Sequence, residues 1–115
     1  MTLDAMRAAR AQLMEQVLRG PGSASPELRA AAAAGAGLPA DLAALVEKIH
    51  RHAYQVTDED MASLRGRYSD DVLFEIVVAA ATGAAEQRFL AGLRAVEEGA
   101  AAAAAAQPEK KEEAA

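Results

Sequence analysis

The stretch Val72-Leu73-Phe74-Glu75-Ile76-Val77-Val78-Ala79-Ala80-Ala81-Thr82-Gly83-Ala84-Ala85 contains a single charge, Glu75. Ser69-Asp70-Asp71 precedes it with a hydroxyl cap and two acids, the signature of a helix start. The segment reads as a helix, and Phe89, Leu90, Leu93 and Val96 continue its pattern to about Glu98. A helix apolar on nearly all sides is expected to be buried on nearly all sides. In so short a chain that places it at the centre of a bundle or in a subunit interface. Its alanines and Gly83 are small enough to let another helix approach closely.

Working upstream, Thr57-Asp58-Glu59-Asp60 marks another start, with Thr57 as cap and three acids in the first turn. The brief helix that follows holds Met61 and Leu64 and stops near Gly66. Before it, Leu42, Leu45, Val46, Ile49, Ala53 and Val56 form the apolar stripe of a helix from about Ala40 to Gln55. Gly37-Leu38-Pro39 connects that helix to a short alanine-rich one, which opens at Ser25-Pro26-Glu27 and ends at Gly35. The first helix spans about Leu3 to Arg19, with Leu3, Met6, Leu13, Met14, Val17 and Leu18 at helical spacing, and Gly20-Pro21-Gly22 terminates it.

The composition agrees with an all-α bundle of about five helices. Val, Ile and Thr are scarce, tryptophan is absent, and Phe and Tyr total four, so material for sheets is lacking. Of the 52% hydrophobic residues more than half are alanine, which favours helix but buries little surface. Self-association into a homo-oligomer is therefore expected. Residues 1–98 are expected to form the single helical domain. Residues 99–115 hold only small, polar and charged side chains and are expected to form a disordered low-complexity tail.

Several functions are disfavoured. The net charge of −5 and the lack of a basic cluster argue against nucleic acid. No apolar run reaches the ~18 residues that cross a bilayer. With acidic Asp4 and no signal-type hydrophobic block, a cytoplasmic location is the expectation. The chain has no cysteine, which removes disulfides, thiolate metal sites and thiol nucleophiles.

Three constellations could carry chemistry. His50 and His52 stand two apart, ~200° around a helix, and cannot share a metal, so neither a metal nor a cofactor is expected. Glu47, His50 and Tyr54 would share one helix face, as a carboxylate, an imidazole and a phenol in line or as ordinary surface pairs. His52 lies at the border of the apolar stripe, where a neighbouring carboxylate such as Glu59 or Glu75 would tune it. Glu75 alone in an apolar helix either serves a function or pairs with Arg51, Arg65, Arg67 or Arg88.

Two blocks, residues 50–60 (His50-Arg51-His52-Ala53-Tyr54-Gln55-Val56-Thr57-Asp58-Glu59-Asp60) and residues 68–81 (Tyr68-Ser69-Asp70-Asp71-Val72-Leu73-Phe74-Glu75 and on to Ala81), resemble the alkylhydroperoxidase D-like, or carboxymuconolactone decarboxylase-like, family. Within it the likeness is to small members without a cysteine pair, over residues 38–93. The resemblance implies an all-helical fold that assembles into oligomers. Active members use a C-x-x-C pair, a following histidine and an upstream glutamate. Aligned without gaps, His52 and Gln55 take the cysteine positions, Glu59 the histidine position and Ala40, beside Asp41, the glutamate position. The reaction needs an attacking thiolate and a resolving thiol, and glutamine supplies neither.

The resemblance thus implies the fold without the peroxidase activity. Three functions follow as expectations: a helical oligomer that binds a small apolar molecule or a protein, a non-redox acid–base enzyme using His52 with Glu59 or Glu75, or a structural interaction module.

Overall fold

In a computed structural model, residues 2–106 are described. Five helices follow in order: α1 (Leu3–Arg19), α2 (Pro26–Ala34), α3 (Ala40–His52), α4 (Asp58–Arg65) and α5 (Asp70–Ala106). A single 3₁₀ turn, Ala53–Gln55, follows α3, and no strand occurs among the described residues. The chain divides into two units, residues 1–85 and residues 86–115.

The helix starts are capped as their residues require. Thr2, Ser25 and Thr57 accept backbone N–H bonds from Ala5, Leu28 and Asp60. Asp60 reciprocates by accepting the Thr57 N–H at 3.0 Å, which completes a capping box. At the start of α5 the Ser69 hydroxyl accepts the Val72 N–H at 3.2 Å. The expected α3 to Gln55 ends at His52 instead, because the backbone of His52 leaves the helical region (φ −148°, ψ 63°) and the last three residues tighten into the 3₁₀ turn.

The core of the first unit is built on α3 and α5. Leu42, Leu45, Val46 and Ile49 of α3 are buried against Leu73, Ile76, Ala79 and Ala80 of α5, with Ala24, Ala32 and Leu64 completing the cluster. At Gly83 α5 lies close against α2: a Cβ there would overlap the carbonyl oxygen of Ala33. Only glycine permits that approach.

Two apolar stripes depart from expectation. In α1, Leu3, Met6 and Leu13 are exposed and no residue is buried, so the helix touches the core only through its half-buried C-terminal turns. In α5, burial is confined to one face, Leu73, Ile76, Ala79, Ala80, Gly83 and Ala84. Phe74 is 70% exposed and Ala81 and Ala85 are exposed as well. The alanine-rich neighbours are too few and too small to wrap that helix, so an apolar face remains uncovered. Beyond Gly99 the helix continues through Ala106 with every side chain exposed, as alanine's propensity allows without any burial. The remainder of the low-complexity segment, from residue 107, lies outside the described residues.

Candidate functional site: an apolar groove beside the fifth helix

The structure brings none of His52, Glu59 and Glu75 together. No hydrogen bond or ion pair joins any two of them among the described residues. His52 is exposed at the end of α3, in a shallow hollow with Ala44, Glu47, Lys48, Arg51 and Gln55. Its Nδ1 lies 3.5 Å from the Tyr54 hydroxyl and the two rings meet edge-on at 5.8 Å. Among the described residues no carboxylate is hydrogen-bonded to the imidazole. The placement at the border of the inward face fails because α3 ends at His52, so its ring leaves the helical register. Glu59 is exposed in the first turn of α4, where a carboxylate complements the helix dipole.

Glu75 has a structural partner that is not an arginine. Its two oxygens accept the backbone N–H of Ser23 at 2.9 and 2.8 Å, and one accepts that of Ala24 at 3.1 Å. The carboxylate thereby holds the connector between α1 and α2 against α5. Gly22 sits so close to it that any Cβ would collide with Oε1. The arginines expected for Glu75 are engaged elsewhere: Arg51 with Glu47, Arg65 with Asp70 and Arg67 with Asp41. Arg88 belongs to the second unit.

Arg29 is 4% exposed and donates from Nη1 to the Val17 carbonyl at 3.1 Å, while its buried Nε has no partner. Glu75 lines the same small hollow and brings an opposite charge to it.

The other polar groups also serve the fold. His50 Nε2 lies 2.9 Å from the carbonyl of Ala32. A carbonyl only accepts, so this nitrogen carries the proton and covers a last-turn carbonyl of α2. The expected line of Glu47, His50 and Tyr54 is broken, because His50 turns to α2 and Tyr54 sits in the 3₁₀ turn.

Asp41 accepts the Tyr68 hydroxyl at 3.0 Å and Arg67 at 3.2 Å, which ties the start of α3 to the segment between α4 and α5. Burial pushes the Asp41 carboxyl up, but the bonds from Tyr68, Arg67 and the Leu42 N–H outweigh it and hold the pKa below the ordinary value. For Tyr68 burial, then the hydrogen bond and charge of Asp41, raise the phenol. The bonds from Lys48 at 2.8 Å and from the Thr57 N–H lower the Asp60 pKa. Sequence reading missed this pair of anchors, although the first-turn positions of Asp41 and Asp60 were visible.

What remains as a site is apolar. A groove of about 620 Å³ runs between the end of α3, α4 and the first turns of α5. Ile49, Val56, Met61, Leu73, Phe74 and Val77 supply its larger walls, and Ala53 and Ala81 leave its floor shallow. The only charged groups on it are Arg65 and Asp70, paired at 3.4 Å on the rim and both well exposed. Among the described residues no group of three or more His, Cys, Asp or Glu side chains is placed to hold a metal, and no helix is long and apolar enough to cross a membrane.

No protein-family model, no curated protein and no solved structure matches the chain.

Proposed function

We propose that this chain is a non-redox interaction module that docks an apolar face of an α-helix in the groove beside α5. The observation that carries the reading is Phe74, which stands 70% exposed on the wall of a groove whose other large apolar residues are Ile49, Val56, Met61, Leu73 and Val77. Small-molecule sites enclose most of their ligand, whereas an open trough with an aromatic on its rim suits a helix with anchors at i, i+3 and i+4. The resemblance to cysteine-less alkylhydroperoxidase D-like proteins supports the same reading, since it implies a helical, assembling fold. With no cysteine in the chain, a thiol peroxidase step has no nucleophile. The acid–base alternative draws no support from the surroundings of His52.

Fluorescence of an anilinonaphthalene sulfonate dye tests whether the groove binds apolar groups. The native chain is expected to enhance the dye saturably at low micromolar concentration. Ala81→Glu, at an exposed helical position on the groove, is expected to abolish the enhancement while leaving the melting temperature close to native. Enhancement that survives this variant would contradict the assignment.

A further inference from the structure

We infer that the occupant of the groove is the same face of a second copy, the two chains inserting Phe74 into one another about a two-fold axis beside Val77. The inference rests on the helix-docking reading above and names its partner.

The residues involved all line the groove, and all belong to the first unit. On α5, Asp70, Phe74, Val77 and Ala81 follow at steps of four, three and four, so the groove-lining side of this helix is itself a helical face. Its anchors stand about one turn apart, which is the kind of occupant the groove suits. Phe74 is 70% exposed, a large aromatic side chain that its own chain does not cover. Ala53 and Ala81, both exposed, leave a shallow place in the same surface that Phe74 does not fill. One surface thus carries an anchor without a pocket and a hollow without an anchor.

A two-fold axis brings the two together. Phe74 precedes Val77 by three residues and Ala81 follows it by four. Two α5 helices crossing antiparallel at Val77 therefore set the Phe74 of each copy against the Ala81 of the other. Bulky meets small, the interdigitation that well-packed helices use. Because the contact is isologous, the insertion is made twice and the assembly closes as a dimer.

Charge permits the contact. The chain carries a net charge of −5, so two copies repel at a distance. The groove adds nothing to that repulsion, because its only charged groups, Arg65 and Asp70, pair at 3.4 Å within one copy and lie on the rim. Closing the dimer leaves no charge buried without a partner. Covering Phe74, Val77, Ala81, Val56 and Met61 in both copies, with the rim pairs, buries on the order of 1,000 Å². That is the lower limit for a specific interface, so the dimer is a weak one and forms at high micromolar concentration. At the low micromolar concentration of the dye experiment the groove is then largely open.

Sedimentation velocity from low to high micromolar concentration tests the proposal. The native chain is expected to pass from an 11.9 kDa monomer to a dimer across that range. Phe74→Ala removes the anchor, and Ala81→Glu places a charge in the hollow. Both positions are exposed in the single chain, so each variant is expected to keep its helical circular dichroism and melting temperature. Association is expected to weaken by about tenfold or more in each, as it does when an aromatic anchor or its pocket is lost. Leu13→Glu, at an exposed apolar residue of α1 outside the groove, is expected to dimerise as the native chain does.

A native chain that stays monomeric throughout would overturn the proposal. So would a dimer that either groove variant leaves intact, or one that Leu13→Glu dissociates equally. If the chain is monomeric but binds the dye in a manner that Ala81→Glu abolishes, the groove reading stands and only its occupant is wrong. If the dye binding is absent too, both fall.

Discussion

At the scale of single residues, Glu75 shows how a charge in an apolar segment comes to be structural. The connector after α1 must leave its backbone N–H groups at Ser23 and Ala24 without helical partners, and Ala24 is buried in the core. A carboxylate from α5 accepts both N–H groups, which would otherwise be desolvated without compensation. Glu75→Ala is accordingly expected to cost about 1–3 kcal/mol, the penalty for orphaning such donors. Urea unfolding would register it as a lower midpoint at unchanged slope, and a variant as stable as the native chain would show the anchor to be idle. The single charge was legible in the sequence, but its partner was not. Backbone N–H groups carry no side-chain signature, so a search among arginines could not find them.

At the scale of elements, the carboxylates that start α3 and α4 make the fold sensitive to acid. The pKa values of Asp41 and Asp60 are lowered in the folded chain. A group with a depressed folded pKa stabilises fully above its unfolded value, about 3.9 for aspartate, and loses that contribution as pH falls through the folded value. Melting temperature is therefore expected to drop below about pH 4, and to drop less steeply in Asp41→Asn, which has no such proton to take up. Equal slopes in the two proteins would remove Asp41 as a cause.

The helices themselves were readable because their caps are local. Thr57 and Asp60, Ser25 and Pro26, and Ser69 each act within one turn. The end of α3 was not, since nothing in Ala53-Tyr54-Gln55 announces the non-helical backbone at His52. That break moved His52 out of the inward face and dissolved the candidate site built on it. Likewise, an apolar pattern around α5 states which residues avoid water, but not whether the same chain has enough bulk to cover them. The exposed Phe74, Ala81 and Ala85 answer that only in three dimensions.

For the molecule as a whole, those two facts account for the reading of function. A chain whose apolar content is mostly alanine completes a core of α3, α4 and one face of α5, and its other large apolar side chains, such as the exposed Leu3, Met6 and Leu13, leave Phe74 uncovered. The groove with Phe74 on its wall is the consequence, and docking of a helix is what its shape and chemistry suit. The most direct measurement follows the carbon-13 methyl resonances of Ile49, Val56, Met61 and Val77, all on the groove, while a short amphipathic Leu/Ala peptide is added to the protein. Saturable shifts are expected at these methyls, and a peptide of the same length broken by proline is expected to produce none. Unmoved groove methyls, or shifts of equal size with the broken peptide, would contradict helix docking in the groove.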